Sequence, residues 1–306
     1  MELYQILLIV IGCLLFVSFV VIFFISIFVT RKIVYPHRYT KEEQDSYNKK
    51  MGYDKGFETL ERNKIVFKMS DGYELNGDYN IVPGSNVFCI LTHGHGSSRE
   101  GARKYSVLFK ELGISTIIYD LRNHGLNLQN SPVLMGYQES KDLNEVINQV
   151  YDKFGKDIIL GLQGVSMGAS TSIMVLKYNQ KLKFVIEDCG YATLKNVVDD
   201  ILKRFHLANW LFLPLVDFDL KLFYHLSFEK VRPIDSLKNN SVPILFIHGK
   251  KDNFVRVNNC YELYKEGTFA RDIEIFPDAN HAACISNNRD LYKEKISEFL
   301  KNIKVL

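Results

Sequence analysis

Residues 158–174 read Ile158-Ile159-Leu160-Gly161-Leu162-Gln163-Gly164-Val165-Ser166-Met167-Gly168-Ala169-Ser170-Thr171-Ser172-Ile173-Met174. The apolar run Ile158–Leu162 predicts a buried strand, and Met167–Tyr178 predicts a helix. Between them stands Gly-x-Ser-x-Gly, Gly164 to Gly168. A serine at so sharp a strand-to-helix turn needs strained backbone angles and close neighbours, which is why glycines flank it at two residues on either side. The turn lifts the Ser166 hydroxyl clear of the sheet, and the helix N-terminus beneath it favours developing negative charge. Ser166 is therefore a candidate nucleophile.

Outward from this turn, strand and helix signals alternate. Ile65–Met69 and Tyr73–Ile81 flank the hairpin signal Ser70-Asp71-Gly72. Val87–Thr92, Ser115–Tyr119, Phe184–Glu187, Ile244–His248 and Ile273–Phe276 read as further strands. Ser97–Leu112, Tyr137–Phe154, Val257–Tyr264 and Leu291–Ile303 read as helices. Apolar strands separated by helices predict an α/β fold, a mostly parallel sheet covered on both faces. Residues 193–232 break the rhythm with a long apolar insertion, which predicts a small helical cap. Pro214 is expected to divide it into at least two short helices. Trp210 and Phe212 within it, and Tyr191 just before it, are candidate substrate-binding residues.

A serine nucleophile needs a base, and the base needs a residue to orient it. The expected chain order is serine, acid, histidine. Asp252 follows the strand Ile244–His248, and His281 follows Ile273–Phe276. Both loops leave the sheet at its carboxyl end, where ligands bind in such folds. Asp188 is a rival acid, because it also lies between Ser166 and His281; Asp278 reads as a turn residue. The oxyanion of a tetrahedral intermediate needs two backbone donors. The amide of Met167 is one, and the amide of His95, in His93-Gly94-His95-Gly96, is the other. His93-x-His95 lacks further acidic or histidine partners, so no metal or cofactor is expected.

The ends and the composition add a second theme. Of the first 30 residues 24 are hydrophobic and only Glu2 is charged, so the overall 47% hydrophobic content conceals two materials. Leu3 to Val29 would run about 40 Å as a helix, enough to cross a bilayer with tilt. A signal peptide would carry basic residues before a shorter apolar region and small residues at the cut, whereas this run ends Ile27-Phe28-Val29. Gly12-Cys13 resembles a lipoprotein cleavage site, but the apolar run continues far past it. Arg31, Lys32 and Arg38 follow at once, which predicts a single-pass anchor with the body in the cytoplasm. Residues 1–30 are thus expected to be an anchor, 31–63 a polar connector with little pattern, and 64–306 the folded body. The net charge of +3 arises from residues 31–50. The body is nearly neutral and shows no basic face for nucleic acid. Five cysteines without a Cys-x-x-Cys point to neither a disulfide frame nor a zinc ribbon.

Residues 64–303 resemble the α/β-hydrolase superfamily, in particular bacterial membrane-anchored serine hydrolases related to prolyl oligopeptidase-like and lysophospholipase-like members. The resemblance rests on Ser70-Asp71-Gly72, His93-Gly94-His95-Gly96, Tyr119-Asp120-Leu121-Arg122-Asn123-His124-Gly125, the Ser166 turn, His248-Gly249 through Asp252, and His281. Such proteins usually have glycine where Asn123 stands, and asparagine tolerates the same left-handed angles. Asp120 and Arg122 are expected to be structural. The expected function is cleavage of an acyl ester, lipid-like substrates included, through an acyl-enzyme intermediate. A thioester or peptide substrate, and a non-catalytic binding protein on the same fold, are the alternatives. Oligomeric state is not legible.

Overall fold

The computed structural model describes residues 2–127, 131–267 and 269–306. Among these residues eight strands form one sheet: β1 (Asn63–Lys68), β2 (Glu74–Asn80), β3 (Val87–Thr92), β4 (Ser115–Tyr119), β5 (Ile159–Val165), β6 (Phe184–Asp188), β7 (Ile244–Gly249) and β8 (Arg271–Phe276). Their spatial order is β1-β2-β4-β3-β5-β6-β7-β8. The hairpin β1–β2 and the β2–β4 pair are antiparallel, and all other neighbours are parallel. The fold is therefore the expected α/β architecture.

Among the described residues ten α-helices accompany the sheet: α1 (Leu3–Val34), α2 (Lys41–Met51), α3 (Arg103–Glu111), α4 (Tyr137–Phe154), α5 (Met167–Met174), α6 (Leu194–Arg204), α7 (Asn209–Tyr224), α8 (Asn258–Glu266), α9 (Cys284–Asn287) and α10 (Arg289–Asn302). The central strands are buried on both faces, so each contributes alternate residues to two cores. Phe88 and Ile90 join Leu143, Val146 and Ile147 of α4 on one face. Val87, Cys89 and Leu91 join Leu108 and Phe109 of α3 and Ile296 and Phe299 of α10 on the other. After β3 the chain winds to β4 on one side and then crosses to β5 on the other. The carboxyl ends of β3 and β5 thus flank a topological switch point, the crevice where ligands bind in open α/β sheets.

Three expectations change. Residues 31–63 are not without pattern: α1 continues to Val34, and α2 follows with Thr40 as its N-cap. The Thr40 side chain accepts from the Glu43 amide while Glu43 accepts from the Thr40 amide. That Thr-x-x-Glu capping box was legible in the sequence. Pro214 does not divide the cap. It sits inside α7, and the break falls at Phe205–Ala208, where His206 turns into the left-handed region with φ 55°. Proline here forfeits one helical hydrogen bond, while Phe212, Val216 and Leu220 keep both sides of it packed in the core.

The third change concerns α1. The helix is long and apolar enough to cross a membrane. Its residues from Leu3 to Phe19 are all exposed, but its last turns are docked onto the cap. Ser26 Oγ donates to Asp219 Oδ2 of α7 at 2.5 Å, Thr30 Oγ1 donates to the same oxygen at 3.5 Å, and Ile33 and Val34 are in the core.

Candidate active site

The turn after β5 takes the strained form that its glycines predict. Ser166 lies at φ 56°, ψ −119°, and opens α5. A Cβ on Gly164 would stand 2.2 Å from the Gly168 carbonyl oxygen, and one on Gly168 would stand 2.1 Å from that of Thr92. No side chain fits either position. The Ser166 amide donates to the Asp188 carbonyl at 2.8 Å, which ties the turn to the neighbouring strand.

Residues far apart in sequence converge on this serine. His281, in the loop after β8, reaches Ser166 Oγ with Nε2 at 2.9 Å. Its Nδ1 donates to Asp252 Oδ2 at 2.7 Å, so Nε2 is the nitrogen free to accept. Asp252 stands in the loop after β7. Its other oxygen accepts from the amides of Phe254 and Val255, both at 2.9 Å. Burial raises the Asp252 carboxyl, but hydrogen bonds from His248 and His281 outweigh it and hold the group down to about 2. His248, fully buried, donates through Nε2 to the Val255 carbonyl at 2.7 Å and lies 3.3 Å from Asp252 Oδ2. It meets the same Asp252 oxygen that His281 does, a contact that sequence reading did not anticipate.

Asp188, the rival acid, is occupied elsewhere. It accepts from Tyr292 at 2.9 Å and Tyr105 at 3.2 Å beneath the site. Asp278 is at the surface, paired with Lys251. Asp120 and Arg122 are structural: Asp120 holds Arg99 and the Leu126 amide, and Arg122 pairs with Asp142. Asn123 adopts φ 58°, the left-handed angle expected there.

The loop after β3 is organised by neutral histidines. His93 Nε2 accepts from the Leu121 amide at 3.0 Å, leaving Nδ1 to donate to the Gly94 carbonyl at 2.8 Å. His124 Nε2 accepts from the Gly96 amide at 2.9 Å. His95 donates through Nε2 to the Ile33 carbonyl of α1 at 2.7 Å, and burial lowers it to about 4. Gly94 lies against Ser166, where a Cβ would come within 3.4 Å of the serine Cβ. Among the described residues the amides of His95 and Met167 have no protein acceptor. The imidazoles of His93 and His95 are committed to the backbone, a poor arrangement for a metal. Cys189, Asp252 and His281 place ligand atoms within 4.8 Å of one another. However, burial pushes the Cys189 thiol up, and Asp252 and His281 already bind each other, so this set does not fit a metal either.

Two compartments meet at Ser166. The larger, of about 970 Å³, is walled by Met135, Tyr191, Val197, Ile201 and Phe254, and on one side by α1 through Ile25, Phe28, Val29 and Ile33. That volume is at the upper end of ordinary ligand cavities. Tyr191 therefore lines the cavity, its hydroxyl donating to the Met135 carbonyl at 2.8 Å. The other two cap residues do not: Trp210 is 80% exposed on the outer surface and Phe212 is buried in the core. A 3.6-residue period sends residues two apart on α7 to different faces, and the insertion alone did not say which face met the cavity. The smaller compartment, about 310 Å³, is lined by Tyr39, Gln44, Tyr47, Tyr53 and Lys104. Burial lowers the Lys104 amine to about 8. These residues were not anticipated, because most come from α2 and its flanks, the segment read as a featureless connector.

The prolyl oligopeptidase family model matches residues 129–304, more than half of the chain. The chain belongs to the prolyl oligopeptidase family. Membership places it among the serine hydrolases of the α/β-hydrolase superfamily. Among relatives of this family member, the uncharacterized protein YqkD of Bacillus subtilis is 29% identical over 285 residues, covering 91% of this chain and 93% of that one. The uncharacterized protein YfhR of Escherichia coli K12 is 21% identical and covers 77% of this chain and 79% of its own. The esterase Pf2001 of Pyrococcus furiosus superposes with a TM-score of 0.67 at 22% identity, covering 81% of this chain and 95% of the esterase. An acylaminoacyl peptidase of Pyrococcus horikoshii gives a TM-score of 0.60 at 18% identity, matching 79% of this chain and 41% of its own. Both structural likenesses speak to the fold.

Proposed function

We propose that the protein is a membrane-anchored carboxylic ester hydrolase working through Ser166, His281 and Asp252. The observation that carries the reading is the hydrogen-bonded relay of 2.9 and 2.7 Å opening on an apolar cavity of about 970 Å³. Ser166 Oγ attacks the acyl carbonyl as His281 Nε2 takes its proton. Asp252 holds the Nδ1–H tautomer and stabilises the imidazolium. The amides of Met167 and His95 receive the oxyanion. Collapse expels the alcohol, which takes the proton from His281, and a water then releases the acyl group by the same route.

An acyl ester suits the apolar walls better than a polar peptide backbone, whose amides would enter that space unpaired. A peptide or thioester substrate is the second reading, and the family name favours the peptide. The membrane reading draws on the docked end of α1: removal of the segment as a signal would leave Asp219 buried without Ser26 and Thr30. Arg31 and Lys32 favour a cytoplasmic body by the positive-inside rule, which protease shaving of intact cells tests. Ser166→Ala is expected to abolish p-nitrophenyl ester turnover and fluorophosphonate labelling. Turnover retained in that variant would refute the nucleophile, and peptide turnover exceeding ester turnover would transfer the enzyme to the second reading.

A further inference from the structure

The cavity beside Ser166 is built partly from α1, and the cap that closes it exposes several large apolar side chains on its outer surface. Ile25, Phe28, Val29 and Ile33 of α1 face Val197 and Ile201 of α6 across the cavity. The direction of α7 relative to α1 follows from its contacts. Asp219 meets Ser26 and Thr30, and Tyr224, further along, meets Tyr35 with ring centroids 6.1 Å apart. The two helices therefore run in the same sense. Trp210, nine residues before Asp219, lies about 14 Å along the axis towards the exposed stretch of α1. That stretch, Leu3 to Phe19, is about 26 Å long, close to the roughly 30 Å hydrocarbon core. Trp210 is 80% exposed and Phe205 68% exposed, with Phe218, Leu222 and Phe223 also open. Exposed aromatic and aliphatic side chains beside a spanning helix, with tryptophan at the membrane-directed end and Lys203, Arg204 and Lys221 exposed among them, match an interfacial belt.

We propose that the cap lies in the lipid interface alongside α1 and that the cavity receives a single acyl chain drawn from the bilayer. The substrate class is then a membrane-resident acyl ester, with chain length read by α1 and α6. The hydrolysis of that ester rests on the proposed function; the seating of the cap in lipid does not.

Trp210 is the only tryptophan in the chain, so its fluorescence reports on this surface alone. The full-length protein is reconstituted into vesicles of phosphatidylcholine and phosphatidylglycerol at a ratio of about 3:1. Brominated phosphatidylcholine is expected to quench Trp210 at least twofold, and aqueous acrylamide to quench it weakly. Quenching by acrylamide and not by brominated lipid would overturn the proposal whether or not the protein hydrolyses esters. For the cavity, wild-type kcat/KM on p-nitrophenyl esters should rise about fourfold per added methylene from acetate until the cavity is filled. Val29→Trp should lower the dodecanoate-to-acetate ratio at least tenfold, and Val29→Ala should move the preferred length upward. The ratio is internal to each preparation, so partial misfolding does not disturb it. A ratio unmoved in both variants would remove α1 from the substrate site; absence of ester turnover in wild type would instead defeat the proposed function and leave the fluorescence result standing.

Discussion

Replacing Asp252 by asparagine tests the relay most sharply, because it changes one atom and leaves the volume intact. Asp252 Oδ2 accepts from His281 Nδ1 at 2.7 Å with its side chain fully buried. When His281 takes the serine proton, the new imidazolium lies directly against that carboxylate. At an effective dielectric of about 20, opposite unit charges at that distance attract by about 6 kcal/mol. Since about 1.4 kcal/mol is tenfold in rate, loss of the attraction is worth about four decades. A second effect acts in the same direction. The asparagine NH₂ can donate to His281, which turns Nδ1 into an acceptor and puts the proton on Nε2, facing Ser166. Asp252→Asn should therefore reduce kcat/KM for p-nitrophenyl butyrate by about 10³–10⁴-fold, with little change in KM. Fluorophosphonate labelling should slow in parallel, because it needs the same activated serine. The companion variant Asp188→Asn should lose less than tenfold, since the Asp188 carboxylate is held by Tyr105 and Tyr292 and, among the described residues, makes no hydrogen bond to His281. If Asp252→Asn keeps a tenth of the activity while Asp188→Asn loses nearly all, the assignment of the acid is wrong.

Other outcomes follow from the same geometry. The Asp252 carboxyl is held near 2, below an ordinary value of 3.8, so its ionised form stabilises the fold by about 2.5 kcal/mol. That stabilisation is complete above the unfolded value and is lost as pH falls through the folded one; urea unfolding from pH 6 to pH 2 should show wild type losing about that much more than Asp252→Asn. Gly168→Ala drives a methyl group to 2.1 Å from the Thr92 carbonyl oxygen and should destabilise the protein by more than about 3 kcal/mol, or prevent folding, as read by thermal unfolding. Asp219→Ala removes the buried acceptor of Ser26 and Thr30 and should weaken docking of α1 by about 2–4 kcal/mol, seen as faster proteolysis between α1 and the cap in detergent. An unchanged cleavage rate there would mean that the bonds to Asp219 do not hold α1 in place.

Much of the site's chemistry was legible along the chain. The glycines around Ser166 announce a crowded turn, because a Cβ cannot coexist with a carbonyl oxygen at 2.1 Å. Apolar runs of strand length, separated by helical spacing, announce the sheet and both its covers. The serine, acid and histidine order narrows the acid to two candidates. The Thr40-x-x-Glu43 box announces α2, although the polar composition around it obscures the signal.

The choice between candidates lay beyond local pattern. Asp188 and Asp252 both follow strands on the same side of the sheet. Only strand order and loop path decide that one meets His281 while the other sinks beneath two tyrosines. The cap residues divide in the same way: Tyr191 reaches the cavity, Phe212 the core and Trp210 the outside, because helix rotation sets each exposure and nothing within the insertion specifies that rotation. Most of all, sequence alone determined that α1 is apolar and long. That its final turns wall the cavity and hold the His95 loop through Ile33 is a matter of tertiary structure. Periodicity and turn chemistry act between neighbours in the chain, whereas these contacts join residues more than sixty positions apart, and such pairings are made only when the whole sheet and its cap close together.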